Sequence, residues 1–125
     1  MSNVISMEDR ISKGQSIKTG VRDRRYAIRY PFAADVELID LESGARVEGV
    51  TSDISMGGCF VCASKPLSLK ARVRLTLTRK AQVVQALASV RIVKPRVGMG
   101  LEFLDIEPGY HKVLTRWLEQ LRELR

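Results

Sequence analysis

Only one histidine, His111, and two cysteines, Cys59 and Cys62, occur in the 125 residues, so metal and redox chemistry have little to work with. A tetrahedral zinc site needs four side-chain donors, and a lone C-x-x-C with one histidine does not supply them. The two cysteines also sit in Gly58-Cys59-Phe60-Val61-Cys62, a strand-like run, not at the helix N-terminus where redox pairs are activated. Residues three apart on a strand face opposite sides, so the thiols do not converge. They read as unreactive packing cysteines in a reducing cytoplasm. Paired carboxylates, a nucleophile–base set and a phosphate-cradling P-loop are all missing, and the chain is not read as an enzyme. Long apolar runs are missing too. Nothing approaches the roughly 20 residues of a membrane span, and Met1 to Gly20 contains no secretory apolar stretch. The expectation is a soluble, cytoplasmic protein.

Aromatic residues make up 6% of the chain, and Tyr26, Tyr30 and Phe32 cluster together. A small barrel that stacks single-stranded bases would spread its aromatics over a strand face, so specific nucleic-acid binding is disfavoured. Basic residues, by contrast, are abundant: 21 Lys and Arg against 14 Asp and Glu give a net charge of +7. Such an excess implies an anionic partner, whether nucleic acid, anionic lipid or a phosphorylated small ligand. Charge alone does not choose among them. The length suits one domain, able to bury roughly two-thirds of its unfolded surface without staples.

Residues 1–21 mix Ser, Gly, Lys and isolated apolar residues without a period, and read as a flexible tail. A dense charge cluster follows, and Pro31 forces Tyr30 towards an extended conformation; residues 22–31 therefore read as a linker ahead of the first strand. Strand signals then succeed one another. Ala34 to Leu41 alternates, Glu42-Ser43-Gly44 is a turn, and Arg46 to Ile54 follows. Cys59 to Cys62 resumes the sheet, and Val73, Leu75 and Leu77 alternate with polar neighbours. Val83 to Val93 and Gly98 to Phe103 complete the series, the glycines of the last marking a bulge or a close backbone approach. Six or seven short strands at this spacing predict a mainly β fold, an antiparallel, split β-barrel. At the end the period changes. From about 108 to 124, after Pro108, the residues Val113, Leu114, Trp117, Leu118, Leu121 and Leu124 form one apolar stripe, predicting a helix packed on the barrel.

Two short patterns carry the candidate chemistry. Arg25-Tyr26-Ala27-Ile28-Arg29 is R-x-x-x-R with Arg24 in front; Asp53-Ile54-Ser55-Met56-Gly57-Gly58 is D-x-S-x-x-G at a strand end. Guanidinium forks suit phosphate oxygens and stack on flat bases. A carboxylate and a hydroxyl are acceptors for the N–H edge of a purine such as guanine. Each pattern has a bland reading beside it: a solvated basic linker for the first, an ordinary turn for the second. Together they describe a pocket for a molecule carrying phosphates and guanines. Gly57, Arg96, Gly98 and Gly100 are weaker candidates, Arg96 as an auxiliary cation and the glycines as points where a ligand approaches the backbone.

Both motifs, in this order and followed by β-rich sequence and a terminal helix, resemble the PilZ domain, a bacterial receptor for cyclic di-GMP. The resemblance covers about residues 22–124. It implies that Arg25 and Arg29 hold the ligand, that Asp53 accepts from guanine N1–H and its amino group, that Ser55 adds a hydrogen bond, and that Gly58 has a conformational role. An arginine immediately before the motif, here Arg24, fits a stacked pair of ligand molecules. No cofactor is implied, and the signal would pass to an unidentified downstream protein. An adaptor that binds no nucleotide is the main alternative within the family, and the intact motifs argue against it.

Overall fold

A computed structural model describes residues 28–124. The tail 1–21, Arg24 and Arg25 lie outside the described residues. Seven strands and one helix follow in order: β1 (Tyr30–Pro31), β2 (Asp35–Asp40), β3 (Arg46–Ile54), β4 (Gly58–Cys62), β5 (Arg72–Arg79), β6 (Gln82–Lys94), β7 (Gly98–Asp105) and α1 (Pro108–Glu123). Every pairing is antiparallel. The sheet runs β1-β3-β2-β5-β6-β7-β4, and β4 pairs back onto β3. Six strands therefore close a barrel, with β1 left outside on the edge of β3 beyond the end of β2.

The barrel closes because strands such as β2 and β5 carry a two-residue hydrophobic period, which commits one face to the interior. On β5, Val73, Leu75 and Leu77 are fully buried, while Arg72 before them and Arg74 among them are exposed. They meet Val36 and Leu38 from β2 and Val84, Ala86 and Ala88 from β6. The helix covers the remaining opening. Pro108 starts it, where a missing N–H costs nothing, and Leu114, Trp117 and Leu118 are its buried residues. Phe32 meets the Trp117 ring at 5.1 Å, and the Trp117 Nε1–H donates to Gln82 Oε1 at 2.9 Å. The indole thus buries its body and satisfies its polar tip. Leu124 departs from the expected stripe: at the C-cap it is 83% exposed.

The segment read as a linker contributes to the fold directly. Tyr30 and Pro31 pair with Ile54 and Asp53, and Tyr30 and Phe32 belong to the core. Pro31 is accommodated because it stands at the end of a two-residue strand, where a missing donor is tolerated. Between β1 and β2 the register on β3 slips by one residue, and Thr51 repairs the gap. Its buried hydroxyl donates to the Phe32 carbonyl at 2.5 Å and accepts from the Ala34 N–H at 2.9 Å. Both groups would otherwise be buried without a partner.

Candidate functional site

Thr51 and Ile54 are three apart, yet both are buried, which strict alternation forbids. A register shift between Thr51 and Asp53 absorbs the extra residue at Ser52. Such a bulge re-aims the side chain that follows it, and Asp53 is left only partly covered, its side chain 31% exposed. Across the edge, β1 pairs Pro31 with Asp53, and Arg29 lies two residues earlier on the same face as Pro31. Its guanidinium reaches Asp53 Oδ1 from both Nε, at 2.9 Å, and Nη2, at 2.6 Å. The structure therefore brings together one residue from each motif, separated by 24 positions in the chain.

The loop after Asp53 is held by Ser55. This residue is 1% exposed, and its hydroxyl accepts from the N–H groups of Gly57 and Gly58, both at 3.1 Å. It also donates to the Gly58 carbonyl at 3.2 Å, while the Ser55 N–H donates to the same oxygen at 2.8 Å. Ser55 is thus engaged within its own turn. Gly57 anchors the other side, its carbonyl accepting from the Phe103 N–H at 2.8 Å. Among the described residues the one glycine at positive φ is Gly44, so left-handed backbone is not what Gly58 supplies. What Gly58 supplies is space: a Cβ there would run into the Leu101 carbonyl of β7.

Beyond Asp53 the outer face continues in register. Phe60 pairs with Asp53 on one side and with Gly100 on the other, and Gly100 pairs with Ile92. Gly98 and Gly100 are buried because neighbours fold over them; a Cβ at Gly98 would collide with the Phe60 ring and the Val61 carbonyl. The Lys94 ammonium stands 5.5 Å above the Phe60 ring. Arg96 is exposed in the turn joining β6 to β7, with φ at 63°. Phe60 and Lys94 escaped the sequence reading. The available signal was the phase of β4, where Cys59 and Val61 point inward and an aromatic is left on the outside.

Two hollows, of about 260 and 370 Å³, lie elsewhere, against Tyr110 and against Trp117 respectively, and neither is lined by Arg29 or Asp53. The Asp53 side chain is partly exposed on the outer face of the barrel. Among the described residues no group of three His, Cys, Asp or Glu could hold a metal ion, and no helix is long and apolar enough to cross a membrane.

The cysteines divide between the two faces. Cys59 is fully buried, and its thiol is pushed up to about 12, first by burial and then by the nearby Asp53 carboxylate, against a lowering influence from Arg29. Cys62, in contrast, is exposed and not the packing residue expected, because the same alternation that hides Cys59 turns it outward. Titration of the native chain with a thiol reagent at pH 8 is expected to give one fast equivalent, from Cys62. The second should react only in denaturant, since a thiolate at Cys59 is out of reach at that pH. Two fast equivalents would show that β4 opens readily.

The match to known proteins follows the same fold. Residues 23–120 match the family model described as the PilZ domain. The PilZ domain of CeSA from a cellulose-synthesizing bacterium is 25% identical, with a TM-score of 0.61, covering 76% of this chain and 98% of that one. The Bacillus subtilis inhibitor of motility MotI/DgrA is 23% identical at a TM-score of 0.65, over 83% of this chain and 52% of its own. The Escherichia coli YcgR PilZ domain, solved with c-di-GMP, shares 15% identity at a TM-score of 0.63, over 82% and 93% of the two chains. The last two likenesses speak for the fold alone. No curated protein sequence is significantly similar to the chain. With the family model spanning the barrel, the Asp53 loop and most of the helix, this chain belongs to the PilZ domain family.

Proposed function

We propose that this chain is a non-catalytic receptor for cyclic di-GMP, acting in the cytoplasm on a protein partner. The observation that carries the reading is the Arg29–Asp53 pair, which joins the two motifs at one point of the barrel face. A solved PilZ domain of the same fold, that of YcgR, holds c-di-GMP. Asp53 accepts from the guanine N1–H and amino group; Arg25 and Arg29 take the phosphates and stack on the bases, with Arg24 serving a second, stacked ligand molecule. Ser55 and Gly58 fix the loop that presents Asp53. Gly57, Arg96, Gly98 and Gly100 are weaker candidates for further contacts with the ligand.

The ion pair suggests how binding is coupled to a change of shape. In the free chain, Arg29 and Asp53 satisfy each other. The ligand offers each a replacement: N–H donors for the carboxylate and phosphate oxygens for the guanidinium. An ion pair with side chains 47% and 31% exposed contributes little, about 0–1 kcal/mol, so the exchange costs little. Released from Asp53, Arg29 moves with the arginines before it onto the phosphates, and the surface offered to the partner changes. Calorimetry with cyclic di-GMP, and with GTP as control, tests this. Saturable micromolar binding, about two ligands per chain, absent with GTP and lost in Arg25→Ala, is expected. No heat at tens of micromolar protein would leave standing the adaptor alternative or a basic small barrel that binds nucleic acid nonspecifically.

A further inference from the structure

The outer face beside Asp53 holds an aromatic ring that the core does not use. Phe60 is half-buried and points away from the interior, between the inward-facing Cys59 and Val61. Its ring lies over Gly98, where the absence of a side chain leaves room for it to rest against the backbone. The Lys94 ammonium stands over the ring at 5.5 Å. Phe60 is the direct register neighbour of Asp53 on the adjacent strand. Paired strands are about 4.8 Å apart, and the Phe60 ring leans from there towards Gly98 on β7, so ring and carboxylate suit the two bases of one ligand better than a single base. Arg96 borders the far side, in a type II-like turn formed by Pro95 and Arg96. Its φ of 63° is one that glycine or asparagine fills more easily.

These features make one device. An aromatic face attracts cations and flat bases alike, through dispersion and the ring quadrupole. In the free chain a lysine covers it. A base arriving with its own phosphates offers the ring a larger partner and the lysine a better one.

We propose that Phe60, seated on Gly98 and covered by Lys94, is a stacking platform for a purine base of the bound dinucleotide, with Lys94 and Arg96 turning to its phosphates. The proposal rests on the receptor reading above and adds residues outside both motifs. Asp53 reads the edge of a base; Phe60 holds the face of a base, and the two together favour a ligand with two purines over a mononucleotide.

The test uses the full-length chain with cyclic di-GMP. Phe60→Leu keeps apolar cover over Gly98 but removes the ring face, so the melting temperature should hold. Affinity should fall about tenfold, as expected for the loss of one base–aromatic stack. Lys94→Gln should weaken binding a few-fold and flatten its salt dependence. In proton NMR, a guanine H8 resonance of the bound ligand should move upfield with wild type and lose that shift with Phe60→Leu. Arginine stacking produces no such ring-current shift. Wild-type binding with unchanged affinity and unchanged H8 shift in Phe60→Leu overturns the platform and leaves the receptor reading standing. No binding by wild type overturns the receptor reading itself.

Discussion

Gly58→Ala is expected to lower stability by about 3 kcal/mol or more, and the melting temperature by roughly 15 °C, on the usual scale for small domains. The reason lies in backbone against backbone. A Cβ at Gly58 would collide with the Leu101 carbonyl oxygen and crowd the Leu101 carbonyl carbon at 3.1 Å and Glu102 Cα at 3.3 Å. None of these is the end of a flexible side chain, so relief requires moving β4 from β7. That pair is one of the two seams flanking β4, and both start beside this residue. Gly109→Ala is the control: a Cβ there meets nothing, and alanine in a helix gains up to about 1 kcal/mol over glycine. Thermal melts of both variants decide the matter. If Gly58→Ala melts near wild type, the close approach of β4 to β7 is wrong. The consequence for binding studies is direct: lost affinity in a Gly58 variant reports a damaged barrel before it reports a ligand contact.

Gly58 also marks where the sequence could and could not be read. Turn chemistry singled out D-x-S-x-x-G, because Ser and Gly at those positions have local reasons to be there. It could not reveal that the glycine answers to Leu101, 43 positions away, since close packing between strands leaves no local pattern. The strands themselves were legible because each buries one face and the two-residue period survives in Val73, Leu75 and Leu77. Tyr30–Pro31 was not, because a two-residue strand has no period and a proline ordinarily argues against one. The helix showed through its stripe, although Leu124 continues the spacing one step past the surface it could cover. At the site, Arg29 and Asp53 were each visible as residue types, but their contact depends on the Ser52 bulge, which follows from pairing with β4. The place of Phe60 was hidden as well, since the contact of its ring with Gly98 follows from the pairing of β4 with β7.

Asp53→Ala is expected to separate function from folding more sharply than any other single change. Two N–H donors to a carboxylate contribute about 1.5–3 kcal/mol each, so losing both should weaken cyclic di-GMP binding by about a hundredfold or more. Stability should change by less than about 1 kcal/mol, because the carboxylate is partly exposed and its partner Arg29 is free to turn to water. Cys59 provides an internal check. Removing the carboxylate removes one influence that raises the thiol, but burial is the larger cause, so the cysteine should stay unreactive in the native variant. The stronger test combines Asp53→Ala with Arg29→Ala in a double-mutant cycle on binding. If the ligand separates the pair, each side chain has its own ligand contact in the complex, and the two losses should add to within about 0.5 kcal/mol. If Arg29 stays on Asp53 when ligand is bound, the second substitution costs far less than it does alone, and the exchange mechanism fails while the binding site remains. The free-state ion pair makes that distinction measurable, since its own small value cannot account for a large coupling.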